Sequence, residues 1–234
     1  MVRNRILEGL LIWGTLPCFL PVCNAKIPRR QDLDESLPIH IRIYNYAGIA
    51  DGQLSAGQKI ADHILGKAGI HTTWQDCLPR IDQNRSTPSC DDDLSKVVLS
   101  VYLVERLERT FPSLHRNALG FSIIPKENEG ATMAYVGYPR LCVLASSISF
   151  RAEELLGLAM AHELGHLLLG TNAHSNHGIM RATWRRRDLY ARYWEEFEFT
   201  QEQTKRLRAA VLSRILLHDH PEAATVEPVR FSVR

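Results

Sequence analysis

The 234-residue sequence predicts an α+β domain, a twisted mixed β-sheet backed by helices, with one long helix in its second half and a closing C-terminal helix. Three observations predict it. Ile39, Ile41 and Ile43 alternate with His40, Arg42 and Tyr44, the period of a strand with one face buried. Val97, Val98, Leu99, Val101 and Leu103 put apolar residues on both faces of a later strand, as a central place in a sheet requires. Residues 150–169 then run at helix length to Gly170, a residue suited to ending a helix in the left-handed conformation.

The other elements follow in order. Residues 1–25 read as a secretory leader. Arg3 and Arg5 give a positive start, Ile6 to Cys23 is mostly apolar, and Cys23-Asn24-Ala25 offers small residues to a signal peptidase. Cleavage is expected after Ala25, leaving 26–234 as one domain; a non-cleaved anchor is the alternative. Lys26 to Leu37 is a polar lead-in. Leu54 to Lys67 carries Ile60, Ala61, Ile64 and Leu65 at helical spacing, and Ile70 to Trp74 is a second strand. Phe121 to Ile124 and Thr132 to Tyr138 are short strands around the polar turn 126–130, and Leu141 to Leu144 is a further strand candidate. Ser149 is placed to cap the long helix, with Glu153 and Glu154 at the positive end of its dipole. Thr200 and Gln203 form a capping box for the last helix, which buries Leu207, Val211, Leu212 and Ile215.

With 28 basic and 26 acidic residues the formal charge is +2, which gives no field that argues for nucleic acid or an anionic membrane. Past the leader no stretch is apolar for long enough to span a bilayer. The expected partner is a protein or peptide, with no nucleic acid and no stable membrane insertion, and the expected state is a monomer. The leader implies a secreted or periplasmic location. Export removes Cys18 and Cys23, so Cys77, Cys90 and Cys142 remain. In an oxidising compartment Cys77 and Cys90 can form a disulfide across the polar loop between them; no C-x-x-C spacing favours a metal role. Cys142, within an apolar run, is expected to be a buried free thiol.

The chemistry concentrates in His162-Glu163-Leu164-Gly165-His166 and the chain just after it. Residues four apart share a helix face, so His162 and His166 can hold one ion while Glu163 sits beside it. Zinc takes a tetrahedron: two imidazoles, a third protein ligand and an open position for water. Gly170 lets the chain reverse, and His174 arrives four residues later as the third ligand, with His177 as the alternative. H-E-x-x-H alone is moderately specific. Two satisfied core histidines would be the bland account, but that account leaves Glu163, costly to bury unpaired, without a purpose.

The stretch resembles the metzincin clan of zinc endopeptidases, a subset of the zincins. The shared features are the helical His162-Glu163-x-x-His166, the turn glycine Gly170, the third histidine His174, and Gly178-Ile179-Met180, similar to the clan's Met-turn. The clan's usual spacing is H-E-x-x-H-x-x-G-x-x-H; here one residue is added on each side of the glycine. The resemblance implies a Zn2+ cofactor, Met180 beneath the metal, and peptide hydrolysis by an activated water with Glu163 as general base. It also implies an oxyanion donor, for which Tyr190 and Tyr193 are available, and an edge strand that takes substrate as an added strand, assigned to Thr132 to Tyr138. Arg181 and Arg185 to Arg187 could favour acidic substrates or form a solvated face. The expected function is a secreted zinc-dependent metallopeptidase. Two alternatives stand beside it: a zincin whose third ligand is Glu195, Glu196 or Glu198, and a secreted zinc-binding or interaction protein without proteolytic activity.

Overall fold

The computed structural model describes residues 37–77, 90, 96–114, 117–125, 132–148, 150–184, 189 and 197–219. The expected leader, the lead-in up to residue 36, the turn 126–130, Ser149, Arg185 to Arg187, Tyr190, Tyr193, Glu195 and Glu196 lie outside the described residues.

The chain runs β1 (Leu37–Asn45), α1 (Asp51–Lys67), β2 (Ile70–Asp76), β3 (Val98–Val104), the single turn α2 (Leu107–Thr110), β4 (Gly120–Ile123) and β5 (Met133–Gly137). Three helices follow: α3 (Tyr138–Ile148), α4 (Ala152–Leu169) and α5 (Gln201–Asp219). The strands form one sheet in the order β2-β1-β3-β5-β4. β1 pairs in parallel with β2 and β3, and β3 with β5, whereas β4 runs antiparallel to β5. The mixed α+β architecture is therefore the one the hydrophobic pattern predicts.

One face of the sheet supplies Ile39, Ile41, Ile43, Leu99, Val101, Leu103, Ala134 and Val136, all buried. α1 and α4 pack against the sheet and against each other. α4 is the keystone, with every residue from Leu155 to Leu168 buried. A helix apolar on all sides belongs in the middle of a core. Its crossing with α1 is close: a Cβ on Gly157 would stand 2.6 Å from the Gly57 carbonyl oxygen. Arg151 stands at its N-cap, and the Glu154 carboxylate accepts the Arg151 backbone N–H at 3.3 Å. Gly170 ends it at φ 64°, ψ 31°, and its N–H returns to the His166 carbonyl.

Two strand assignments are corrected. Leu141 to Leu144 is not a strand but part of α3. Leu141, Ala145 and Ile148 are buried at helical spacing, Val143 is 72% exposed, and Pro139 sits in the first turn, where its missing N–H costs nothing. A short apolar run reads alike in both structures, and only its burial pattern separates them. The segment 132–138, assigned as the substrate-receiving edge, is internal: β5 is hydrogen-bonded to β3 on one side and β4 on the other. The edge strand beside α4 is β4.

Cys77 and Cys90 are joined by a disulfide. Cys142 is free, but half-buried rather than buried. The α5 capping box forms as the sequence predicts, with the Thr200 N–H donating to Gln203 Oε1 at 2.9 Å and the Gln203 N–H to Thr200 Oγ1 at 3.2 Å. Leu207 and Val211 are buried; Leu212 and Ile215 are half-buried. Among the described residues no helix is long and apolar enough to cross a membrane.

Candidate metal centre

α4 supplies the first three side chains of the site. His162 and His166 are buried on adjacent turns, and Glu163, buried next to His162, lines the same cavity. Past Gly170 the chain folds back and brings the exposed His174 to the pair. Each of the three imidazoles offers one nitrogen, and those three nitrogens all lie within 4.8 Å of one another. His177 is not part of this cluster. Of the glutamates considered for a third ligand, Glu198 is described, and its exposed carboxylate lies 4.0 Å from Lys67 Nζ, outside the cluster.

The imidazoles are oriented by backbone carbonyls. His162 Nδ1 lies 2.8 Å from the Ile179 oxygen, and His166 Nδ1 lies 2.7 Å from the Thr171 oxygen. A carbonyl only accepts, so both Nδ1 atoms carry the proton, and in the neutral rings both Nε2 atoms are bare lone pairs. Those two Nε2 atoms face each other at 3.0 Å. Burial keeps the rings neutral. It pushes His162 down to about 4 against the opposing Ile179 hydrogen bond, and it lowers His166 and His174 as well. Two lone pairs at that distance repel unless a cation lies between them. Nitrogen ligands on a tetrahedral zinc stand about 3.3 Å apart, so the donor set fits that ion.

The turn after the third histidine is built around Gly178, at φ 72°, where a Cβ would stand 2.4 Å from the Glu198 oxygen. The Ile179 N–H donates to the Glu198 carbonyl at 2.9 Å, and the Ser175 N–H to the Met180 carbonyl at 2.8 Å. The turn thereby presents the Ile179 oxygen to His162 and buries Met180 beneath α4.

Three neighbours escaped the sequence reading. The Trp184 indole N–H donates to the same Ile179 oxygen at 3.3 Å, and its ring meets His162 edge-on at 5.7 Å between centroids. From β4, Ser122 Oγ lies 2.6 Å from Glu163 Oε2, and Gly120 backs onto the same carboxylate. Strand alternation held a signal for the β4 pair. In Gly120-Phe121-Ser122-Ile123 the small and polar residues share one face, which is what a strand facing a polar side chain on a neighbouring helix would carry. Burial pushes the Glu163 carboxyl up to about 8, against the Ser122 hydrogen bond. A cavity of about 730 Å³ opens on this group, with Leu119, Leu144, Trp184 and Leu189 in its wall.

No protein-family model matches the chain, and no curated protein matches it. Among solved structures the chain is similar to the crystal structure of archaemetzincin from Methanopyrus kandleri, at 13% identity and a TM-score of 0.44, over 80% of this chain and 99% of that one. An overlap of that order leaves the function to the chain's own residues.

Proposed function

We propose that the chain is a secreted zinc-dependent metallopeptidase in which His162, His166 and His174 hold the ion and Glu163 is the general base. The observation that carries this reading is the facing pair of Nε2 atoms on His162 and His166, 3.0 Å apart with His174 beside them, while a backbone carbonyl occupies the Nδ1 of each ring. A structural role for the histidines would give each Nε2 a donor; here each has the other's lone pair.

Zinc bound there would make its water acidic enough to attack a peptide carbonyl, which it would also polarise. The rest falls to the chain's own side chains. Glu163 Oε1 has no hydrogen bond among the described residues, and the side chain lines the cavity, so it is placed to take a proton from water and return it to the leaving amine. Met180, buried, packs its sulfur against Gly165, the α4 residue just before His166. β4, as the edge strand beside α4, is the better candidate for pairing with an extended substrate. The Cys77–Cys90 disulfide supports an oxidising compartment, in keeping with export.

Glu163→Gln tests the reading. The variant should bind zinc in equimolar amount and cleave a denatured general protein substrate at least a hundredfold more slowly than the parent. A parent that takes up zinc yet cleaves nothing would make this a zinc-binding protein without proteolytic activity; a parent that takes up no metal would end both readings.

A further inference from the structure

Glu163 is buried, and both of its carboxylate oxygens meet a single strand. Ser122, itself 2% exposed, sits with Oγ 2.6 Å from Oε2 and 2.9 Å from the Glu163 backbone oxygen. Two residues earlier, on the same face of β4, a Cβ on Gly120 would stand 2.4 Å from Oε1 and 2.7 Å from Cγ. The Ser122 hydroxyl has one proton for two acceptors, and when Glu163 is in the ionised form that a base requires, its carboxylate is the stronger of them. A glutamate on a helix has several rotamers open to it. This one is held from the side by a hydroxyl, and the glycine leaves it room it could not otherwise occupy.

We propose that Gly120 and Ser122 are the positioning residues of the Glu163 carboxylate: Ser122 holds Oε2, Gly120 leaves space for Oε1, and the oxygen left free is the one that handles the proton of the attacking water. This rests on the proposed role of Glu163. It makes β4 a two-purpose strand, one face fixing the base while its outer edge, unpaired among the described residues, receives substrate.

The competing account is that Ser122 merely staples β4 to α4 through the Glu163 backbone carbonyl. Two measurements separate them. With a fluorogenic peptide that the parent cleaves, Ser122→Ala should lower kcat roughly 10- to 100-fold, the scale seen when the partner of an active-site ligand is removed, with KM and zinc content unchanged. Ser122→Thr, which restores the hydroxyl, should recover kcat to within a few-fold. Gly120→Ala should lower kcat with zinc retained. Unchanged kcat in Ser122→Ala, or equal losses in the Ala and Thr variants, overturns the proposal. The second measurement needs no activity. In metal-free protein, the Tm losses of Ser122→Ala and Glu163→Ala should fail to add in the double variant, because the two side chains act on each other; additive losses overturn the proposal. If the parent proves inactive, the role of Glu163 as base fails by itself, and the Tm cycle still decides whether Ser122 holds its carboxylate.

Discussion

Gly165 lies so close to Met180 that a Cβ on the glycine would stand 2.6 Å from the methionine sulfur, and 2.7 Å from Cε1 of Phe199. The glycine falls between His162 and His166 on α4, so the helix and the turn below it meet at the level of the imidazoles. The missing side chain lets the Ile179 carbonyl come near enough to hold the His162 ring.

Gly165→Ala measures that contact. In an ordinary helix interior the change would stabilise by roughly 0.5–1 kcal/mol. Here the added methyl overpacks a finished core, which costs about 1–3 kcal/mol, and the sulfur can yield while the Phe199 ring cannot. The variant is expected to be the less stable protein in denaturant unfolding, with weaker zinc retention as the turn is pushed from the helix. A gain in stability would show that the turn is free to move.

The third ligand is decided by a pair of variants. On the proposed function, His174→Ala lowers zinc affinity by at least about a hundredfold, more than is lost when only the partner behind a ligand is removed. His177→Ala stays within a few-fold of the parent. Competitive titration with a chromophoric chelator reads both. Zinc affinity that survives both substitutions would hand the position to a glutamate.

Metal-free protein should show the cost of burying Glu163. Its carboxyl is raised by burial from 4.5 to about 8 in the folded chain. A raised folded value means stability that is complete below the unfolded value and is lost as pH climbs through the folded one. Glu163→Gln has no such loss. In thermal melts with EDTA the Tm advantage of the Gln variant over the parent should therefore grow between pH 5 and pH 9, every other titrating group being common to both. An advantage independent of pH would mean that the carboxyl is solvated.

What the sequence made legible was what depends on local spacing. Alternation found β1, the two-faced run found β3, and the Thr200–Gln203 pair marked the start of α5 because both halves of a capping box lie within one turn. The approach of His162, His166 and His174 is of the same kind, two residues on one helix and a third just past its glycine stop. What depends on partners far along the chain was not legible. The internal place of β5 is set by β3 and β4, and no pattern within residues 132–138 says which strands will flank it. Ser122 and Glu163 are 41 residues apart, so their bond exists only once sheet and helix have met. The extent of α3 was missed for a third reason, since four apolar residues in a row carry no period of their own.

The carbonyl bonds to His162 and His166 have a kinetic consequence. Both rings are fixed on a buried helix before any ion arrives, whereas His174 stands exposed on the irregular segment beyond it. An ion coming from solvent would meet a prepared two-toothed grip first and acquire its third arm afterwards. On the proposed function, departure would run the same route in reverse, so the residence time of the metal would depend on the short loop between Gly170 and Gly178, which also supplies the Thr171 oxygen that holds the His166 ring.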